Sequence, residues 1–409
     1  MEHHGLILTL VAAIVLAFVF GFVAMRFRLS PIVGYLMAGF VAGPFSPGFT
    51  ADLGLAMQLS EIGVILLMFG VGLKISIEDI WAVRWIAVPG SLAQTVLVAL
   101  IGMGVALAFA MPLMEAVIVG LSVSIASTIV FLRVLEDRRL LKTEEGRISV
   151  SWLLVEDFVI ILAIVVLPAI VGAMNAGGAE VSVWGLASAV GLTLAKIAVF
   201  VAVMIVVGGR FFPWLIVQIA HTKSRELLSL GTLALALGVA CAAYYWFDAS
   251  FALGAFLGGL ALNGSKFSHR VAEDSLPLRD TFAVLFFVSV GMLFDPGVLL
   301  REPLAIAALV AVIMIGKAAT AYWPLVMLKQ SPRTSLLVAL GTAQIGEFSF
   351  VLTTLGRELH VLSTETYNLI LAAAMISIAI NPFLIRLVPD LPPVKPAKIE
   401  PNVKEAASA

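Results

Sequence analysis

Long apolar runs separated by short polar or proline-containing breaks fill the chain from residue 5 to residue 388. About 20 consecutive apolar residues are enough for an α-helix to cross the ~30 Å hydrocarbon core of a bilayer. We count thirteen runs of this length or nearly so, which predicts an all-α membrane protein with about thirteen transmembrane helices. The runs cover 5–25, 31–49, 56–73, 84–110, 112–133, 147–172, 184–208, 226–246, 249–263, 280–294, 302–328, 332–356 and 364–388.

Basic residues in the loops provide an independent check on this count, because Lys and Arg concentrate in cytoplasmic loops. With the N-terminus outside, the inner loops and the C-terminal tail hold 21 of the 25 basic residues. The outer loops hold only Arg301 and Arg357, and Lys196 and Lys317 lie inside apolar runs. If the count of helices were wrong by one, basic and non-basic loops would no longer alternate along the chain. The alternation therefore predicts a multi-pass protein with its N-terminus outside and its C-terminus in the cytoplasm.

The composition indicates that lipid surrounds most of the chain, since 61% of the residues are hydrophobic, 12% are charged and the mean hydropathy is +1.09. A net charge of −1 gives no indication of a nucleic-acid partner. The single cysteine, Cys241, excludes a disulfide framework within one chain and a multi-cysteine zinc site. The sequence shows no phosphate-binding loop, Cys/His cluster or nucleophile–base pair, so neither an enzyme nor a bound cofactor is predicted.

Two polar and glycine-rich interruptions lie within apolar runs, at residues 122–128 and 341–349. They occupy the fifth position of two six-helix repeats, 5–172 and 226–388, which a linker helix at 184–208 joins in inverted topology. Discontinuous helices at matching positions of inverted repeats are typical of the midplane site of a secondary transporter. The alternative is that these Ser and Thr residues bond to their own helix or hold helices together.

Glu156 and Asp157 are adjacent and lie about nine residues into the sixth apolar run. An ionised side chain at the bilayer centre costs about 2.5 kcal/mol or more, so we expect the pair to have a function. Burial favours the protonated form of a carboxylate, whereas a bound cation favours the ionised form and displaces the proton. A site that holds either a proton or a cation is an exchanger if it opens to each side in turn. The structural alternative is a carboxylate permanently paired with a lysine.

Three further polar groups lie deep in the predicted membrane region. Lys317 is roughly 16 Å from the nearer end of its run at 1.5 Å per residue, which is too deep for its ammonium group to reach the headgroups. We predict that Lys317 pairs with Glu156 or Asp157, and Lys196, equally central in the seventh run, is the rival partner. Gln344 and Glu347 lie at the second interruption. Glu347 either stabilises the N–H groups at the start of a half-helix or binds cations directly.

Six segments of the chain together resemble a known family of membrane proteins. They are SPIVGYLMAGFVAGP (30–44), SEIGVILLMFGVGL (60–73), LLVEDFVII (153–161), FALGAFLGGLALN (251–263), LPLRDTFAVLFFVSVGMLFDP (276–296) and GEFSFVL (346–352). The family is the cation:proton antiporter-2 family, nearest its Kef-type potassium efflux and YbaL-like branch. The resemblance implies a thirteen-helix sodium/proton antiporter fold with two crossing discontinuous helices, a homodimer and an elevator-like movement of the ion-carrying helices. It also implies a bacterial-type inner membrane and a part in pH homeostasis.

The resemblance also implies roles for individual residues. Asp157 matches the ion-binding aspartate of the family, and Glu156 matches the residue before it. Lys317 matches the basic residue on the facing helix, and Ser127 and Thr128 match the unwound crossing. Kef-type relatives usually carry Gln before the aspartate and electrogenic sodium exchangers carry Asp, so Glu156 leaves open both the ion, K⁺ or Na⁺, and the stoichiometry.

The C-terminal segment, 389–409, is proline-rich and polar. Its composition predicts a disordered cytoplasmic tail. Many members of the family carry a cytoplasmic nucleotide-binding regulatory domain after the last helix, and the sequence predicts no such domain here.

Together these observations predict a secondary active antiporter that exchanges K⁺ or Na⁺ for a proton by alternating access, with the monovalent cation bound at Asp157. One alternative is a cation channel or gated pore, in which Glu156 and Asp157 form a selectivity ring. Another is an antiporter core that acts as a sensor or subunit of a larger complex. The predicted partners are the cation, the proton, the lipid bilayer and a second copy of the chain.

Overall fold

The computed structural model describes residues 5–46, 51–74, 83–141, 143–176, 183–247, 249–263 and 268–389, and all regular secondary structure in these ranges is helical. The predicted disordered tail, from residue 390 onward, and the end of the second apolar run lie outside the described residues. The membrane helices are α1 (Gly5–Arg26), α2 (Pro31–Ala42), α3 (Leu53–Lys74), α4 (Arg84–Ala108), α5a (Leu113–Ser124) and α5b (Thr128–Asp137), α6 (Glu144–Ala176), α7 (Val183–Val203, continued by Met204–Gly208 and Gly209–His221), α8 (Arg225–Phe247), α9 (Phe251–Asn263), α10 (Ser268–Met292), α11 (Pro303–Ala311, continued by Val312–Gly316 and Lys317–Met327), α12a (Pro332–Thr342) and α12b (Glu347–Glu358), and α13 (Thr364–Leu384).

Each predicted apolar run corresponds to one of these helices, which confirms the predicted fold class for the described part of the chain. Nine spans within it are long and apolar enough to cross a membrane, and α2, α5a and α9 are shorter apolar helices. The bounds differ most at α10, which begins at Ser268 rather than near residue 280. Apolar residues mark only the part of a helix that lies in lipid, whereas backbone hydrogen bonding continues the helix into the polar region.

The helices form two packed units. Helices α1–α3 pack with α8–α10, and α4–α6 pack with α11–α13, while α7 contacts α6, α8 and α9. Small residues allow close approach in the first unit, because a Cβ on Gly39 of α2 would lie 2.0 Å from the carbonyl oxygen of Val288 in α10. Such contacts are the usual means by which membrane helices pack.

Helices α5 and α12 are each interrupted, and their interruptions cross. The backbone N–H of Gly346 donates to the carbonyl oxygen of Ile125 at 2.9 Å, which joins the two breaks directly. The Ser349 hydroxyl donates to the carbonyl oxygen of Ser122 at 2.6 Å. The predicted pair of crossing discontinuous helices is therefore confirmed. Since unpaired backbone groups are costly in lipid, these cross-bonds help explain how non-helical backbone persists at this depth.

Two further contacts hold the second break in place. A Cβ on Gly346 would lie 2.4 Å from the carbonyl oxygen of Ala126, so only glycine fits at this crossing. Asn381 of α13 donates from its side-chain amide to the carbonyl oxygen of Leu340 at 2.7 Å. The last carbonyl groups of a helix have no donor in a following turn, and this amide supplies a donor to one of them in α12a.

Candidate functional site

The side chains of Glu156 and Asp157 leave α6 beside the break in α5. Both residues are buried, with relative exposures of 0% and 1%. The backbone N–H of Ala126 donates to Glu156 Oε2 at 2.8 Å, and the Thr128 hydroxyl donates to Asp157 Oδ2 at 2.8 Å. The interruption of α5 therefore supplies one donor to each carboxylate, a backbone amide to one and a side-chain hydroxyl to the other.

Both oxygens of Glu156 accept hydrogen bonds. In addition to the Ala126 contact, the Gln94 side-chain amide donates to Glu156 Oε1 at 2.7 Å. Trp152, one helical turn earlier in α6, donates from its indole N–H to Gln94 Oε1 at 2.8 Å and so orients that amide. A buried carboxylate with both oxygens bonded is held in one position.

Lys317 is fully buried and reaches the second break. Its ammonium group donates to the carbonyl oxygen of Gln344 at 2.9 Å. Its charge interacts with that of Glu156, although the two groups are not in direct salt-bridge contact. Lys196, the rival partner, is half-buried in α7 and is not among the groups whose charge acts on Glu156.

A π-helical turn, Val312–Gly316, directly precedes Lys317 in α11. Such a turn inserts extra backbone into a helix and changes the direction of the residues that follow, and π-turns are frequent at functional sites. The turn helps to explain how a lysine in the middle of an apolar helix faces the crossing.

Asp157 differs from its neighbour because one of its oxygens is not bonded. Oδ1 has no hydrogen-bond partner among the described residues, while Oδ2 accepts from Thr128. The charges of Glu347 and of the adjacent Glu156 both act on Asp157. Glu347 is buried and is the first residue of α12b. A second carboxylate therefore faces Asp157 from the other broken helix.

The remaining predicted residues also lie at the crossing. Ser127 caps α5b, with its hydroxyl oxygen accepting from the backbone N–H of Val130 at 3.2 Å. Gln344 contributes its carbonyl oxygen to Lys317, and its side-chain amide donates to the carbonyl oxygen of Gly341 at 3.2 Å. The fold thus brings together Ser127, Thr128, Glu156, Asp157, Lys317, Gln344 and Glu347.

Three residues at this site were not predicted from the sequence. Gln94 and Asn381 are polar residues within apolar runs, so their depth was a signal that could have found them. Trp152 gives no such signal, because a tryptophan in an apolar helix usually serves only as packing.

A cavity of about 370 Å³ opens at the end of the bundle opposite the arginine-bearing ends of α1, α5b and α13. Its lining includes Ser60 and Glu61 of α3, Val351 of α12b and Ile164 of α6, so it lies between the two packed units. Val351 follows Glu347 by one helical turn, and Ile164 follows Asp157 by two, which places the cavity floor roughly 6–10 Å from the carboxylates along the helices.

Two broken helices of opposite direction that cross beside buried carboxylates define the membrane unit of a secondary transporter. Residues 14–388 match the sodium/hydrogen exchanger transmembrane family, and the chain belongs to that family. The chain is 50% identical over 387 residues to the Escherichia coli (strain K12) protein YbaL, whose name proposes a cation/proton antiporter. It is 30% identical over 360 residues to K(+) efflux antiporter 4 of Arabidopsis thaliana. Both of these relatives are named as transporters rather than as enzymes.

The aligned region covers 94% of this chain and 69% of YbaL, and 88% of this chain and 60% of the Arabidopsis protein. The chain therefore spans roughly two thirds of the length of these relatives. Among solved structures, the sodium proton antiporter MjNhaP1 from Methanocaldococcus jannaschii matches with a TM-score of 0.73 and 16% identity, covering 95% of this chain and 99% of that one. This likeness confirms the predicted sodium/proton antiporter fold.

Proposed function

We propose that this protein exchanges a monovalent cation for a proton, with Asp157 binding the two in turn. The observation that carries the proposal is the environment of Asp157. The side chain is buried, its Oδ1 has no hydrogen-bond partner among the described residues, and the charge of Glu347 faces it. Two like charges in a buried site repel, so an ionised Asp157 requires a cation beside it, and without a cation it holds a proton.

Glu347 is the fixed charge of the proposed site. As the first residue of α12b it lies at the positive end of the half-helix dipole, which stabilises a negative charge. Glu347 therefore keeps its charge while Asp157 alternates. The proposed cation ligands are oxygens of Asp157, Glu347 and the Thr128 hydroxyl, which is the ligand chemistry that hard cations prefer.

Glu156 has a different role in the proposal. Its two oxygens accept from Gln94 and Ala126, and the charge of Lys317 compensates it. We propose that it stays ionised throughout the cycle and orders the break in α5. One proton then exchanges for one cation, and transport is electroneutral.

Alternating access is proposed from the two packed units and the cavity between them. The cavity approaches the carboxylates from one end of the bundle, and about one helical turn of protein separates its floor from Glu347. Movement of one unit against the other would transfer the site between the two sides. The proposal also includes a cell-membrane location, an N-terminus outside, a cytoplasmic C-terminus and a homodimer.

Potassium is the cation we favour over sodium, because the related Arabidopsis protein is named a K(+) efflux antiporter. The structural neighbour MjNhaP1 is named a sodium proton antiporter, but at 16% identity it supports the fold alone.

Reconstitution tests the proposed function. The purified chain is placed in liposomes that contain a pH-sensitive dye, and KCl or NaCl is added outside. Electroneutral exchange predicts proton release from the lumen that requires the cation and is unchanged when valinomycin is added, at the same potassium gradient, to impose a membrane potential. Cation flux without counter-movement of protons would instead assign the chain to the channel class.

A further inference from the structure

A second cavity, of about 400 Å³, lies at the end of the bundle where α1, α5b and α13 end. Three arginines line it, Arg28 after α1, Arg138 after α5b and Arg386 after α13, and no acidic side chain is among the described residues of its lining. We call it the basic pocket. It is distinct from the cavity that approaches Asp157, which shares no lining residue with it.

Arg138 forms a fixed wall of the basic pocket. Its guanidinium group donates to the carbonyl oxygen of Ile385 at 2.9 Å and to that of Val388 at 3.0 Å, which attaches the end of α13 to α5b. These two contacts hold the Arg138 side chain in the wall of the pocket.

Arg28 and Arg386 complete the charged rim. Neither forms an ion pair with a described residue, and Arg386 lies over the ring of Phe383 at 5.0 Å. The guanidinium groups of Arg28 and Arg386 line one cavity and repel each other, and an anion relieves that repulsion. Arginine is also the side chain best suited to bidentate contacts with phosphate oxygens.

The start of α2 adds a hydroxyl group to the lining. Ser30 and Pro31 line the pocket, and they are the N-cap and the first residue of the 12-residue helix α2. The Ser30 hydroxyl oxygen accepts from the backbone N–H of Ile32 at 3.4 Å, and its own O–H can donate to a phosphate oxygen.

The remaining lining is apolar and includes Val130, Val134 and Ile385. A cavity with a cationic rim and an apolar wall suits an amphiphile rather than a bare ion. Basic pockets between membrane helices bind anionic headgroups in this way. We propose that the basic pocket binds the phosphate group of an anionic ligand, supplied either by a phospholipid headgroup or by a free phosphate ester.

A bound phosphate would also join the two packed units. Arg28 and Ser30 belong to the unit of α1–α3, whereas Arg138 and Arg386 belong to the unit of α5 and α13. If the units move against each other, as the proposed function requires, the bound ligand holds them together and slows exchange.

Thermal unfolding of the 409-residue chain in neutral detergent tests the binding. The probes are short-chain phosphatidylglycerol, glycerol 3-phosphate and, as an uncharged-headgroup control, short-chain phosphatidylcholine. The variants are Arg28→Gln/Arg386→Gln and the matched control Arg210→Gln, which removes an exposed arginine of α7 that does not line the pocket. Arg138 is left in place because it holds α13.

We expect phosphatidylglycerol to raise the Tm of the wild type and of Arg210→Gln by about 3 °C, and the double variant to lose most of that shift. An effect of phosphatidylglycerol alone identifies a lipid headgroup, and an equal effect of glycerol 3-phosphate identifies a free phosphate ester. The same shift in the double variant, or no shift of the wild type with either phosphate probe, overturns the proposal. Thermal unfolding does not depend on transport, so the binding proposal can fail or hold independently of the proposed exchange.

Exchange in liposomes then tests the consequence. We expect the wild type to run several-fold slower in phosphatidylglycerol liposomes than in phosphatidylcholine liposomes if the ligand is a lipid, and the double variant to run equally fast in both. A lipid that binds by the thermal assay but slows both proteins equally contradicts the bridging role.

Discussion

The hydroxyl of Thr128 donates a 2.8 Å hydrogen bond to Asp157 Oδ2 across the break in α5, and it is the only described donor to that carboxylate. The adjacent Glu156 accepts from a backbone amide and from Gln94. Two carboxylates that are neighbours in sequence are thus treated differently by the fold. Glu156 is held at both oxygens, and Asp157 keeps one oxygen available for a cation or a proton.

Replacing Thr128 with Val removes this donor while keeping the shape of the side chain. Because the hydroxyl is also a proposed cation ligand, we expect the apparent KM for the cation to rise roughly three- to tenfold, the effect of about one hydrogen bond. The control is Thr95→Val in α4, since the buried Thr95 hydroxyl has no hydrogen-bond partner among the described residues. Equal KM values for the two variants in the liposome assay would show that the Thr128 hydroxyl is not a cation ligand.

Replacing Glu347 with Gln removes the fixed charge that faces Asp157. The cation then loses one of two carboxylates, so the apparent KM should rise about tenfold or more while the protein stays folded. Glu226→Gln is a matched control, because Glu226 also lies in the first turn of a helix but is exposed at the start of α8. An unchanged KM for Glu347→Gln would mean that Glu347 stabilises the start of α12b and does not bind the cation.

Glu156 and Lys317 should behave as a coupled pair. Glu156→Gln leaves the buried Lys317 without its compensating charge, and Lys317→Met leaves the buried Glu156 without its own. Each single variant is therefore expected to lose about 2 kcal/mol or more of stability. The double variant removes both charges and should be more stable than the sum of the single changes allows. Thermal unfolding of the four proteins measures this coupling. Strictly additive changes would show that the two charges are independent.

Asp295 and Arg301 give the described chain a pH-dependent contact outside the membrane helices. The hydrogen bond from Arg301, and after it the one from the Gly297 backbone, lower the pKa of Asp295 from its ordinary value. A lowered folded-state pKa stabilises the protein above the ordinary value, and the stability is lost as the pH falls through the folded pKa. Asp295→Asn should therefore lower the Tm by about 1–3 °C near pH 7 and by less near pH 3, which lies below the ordinary pKa of 3.8.

The measurement is thermal unfolding of wild type and variant at both pH values. Glu136→Gln, which changes an exposed carboxylate in α5b, is the control and should leave the Tm unchanged at both. A Tm difference for Asp295→Asn that is equal at the two pH values would mean that packing, rather than the charge, carries the contact.

The helical architecture could be predicted because lipid imposes it. A backbone in hydrocarbon must pair its own polar groups, so an apolar run such as 364–388 has little choice but to be a helix. The interruptions near Ser127 and Gly346 were predictable for the same reason, since polar and glycine breaks are rare in lipid. The ends of α10 and α6 were not, because beyond the lipid the apolar pattern no longer follows the backbone.

The candidate site was predictable only in part. Depth alone identified Glu156, Asp157 and Lys317, since buried ionised groups are too costly to be incidental. Their partners depend on how separate helices cross. That Gln94 of α4 holds Glu156, and that Glu347 faces Asp157, follows from the meeting of helices far apart in sequence.

Proton flux by Asp157→Asn in liposomes tests the central claim most directly. Asparagine keeps the size and the Thr128 contact but neither ionises nor binds a proton in exchange for a cation. We predict that proton release driven by K⁺ or Na⁺ falls at least a hundredfold, while Glu226→Gln retains wild-type flux and the variant keeps a Tm close to that of the wild type. Full cation-driven proton flux by a folded Asp157→Asn protein would contradict the assignment of Asp157 as the exchanging group.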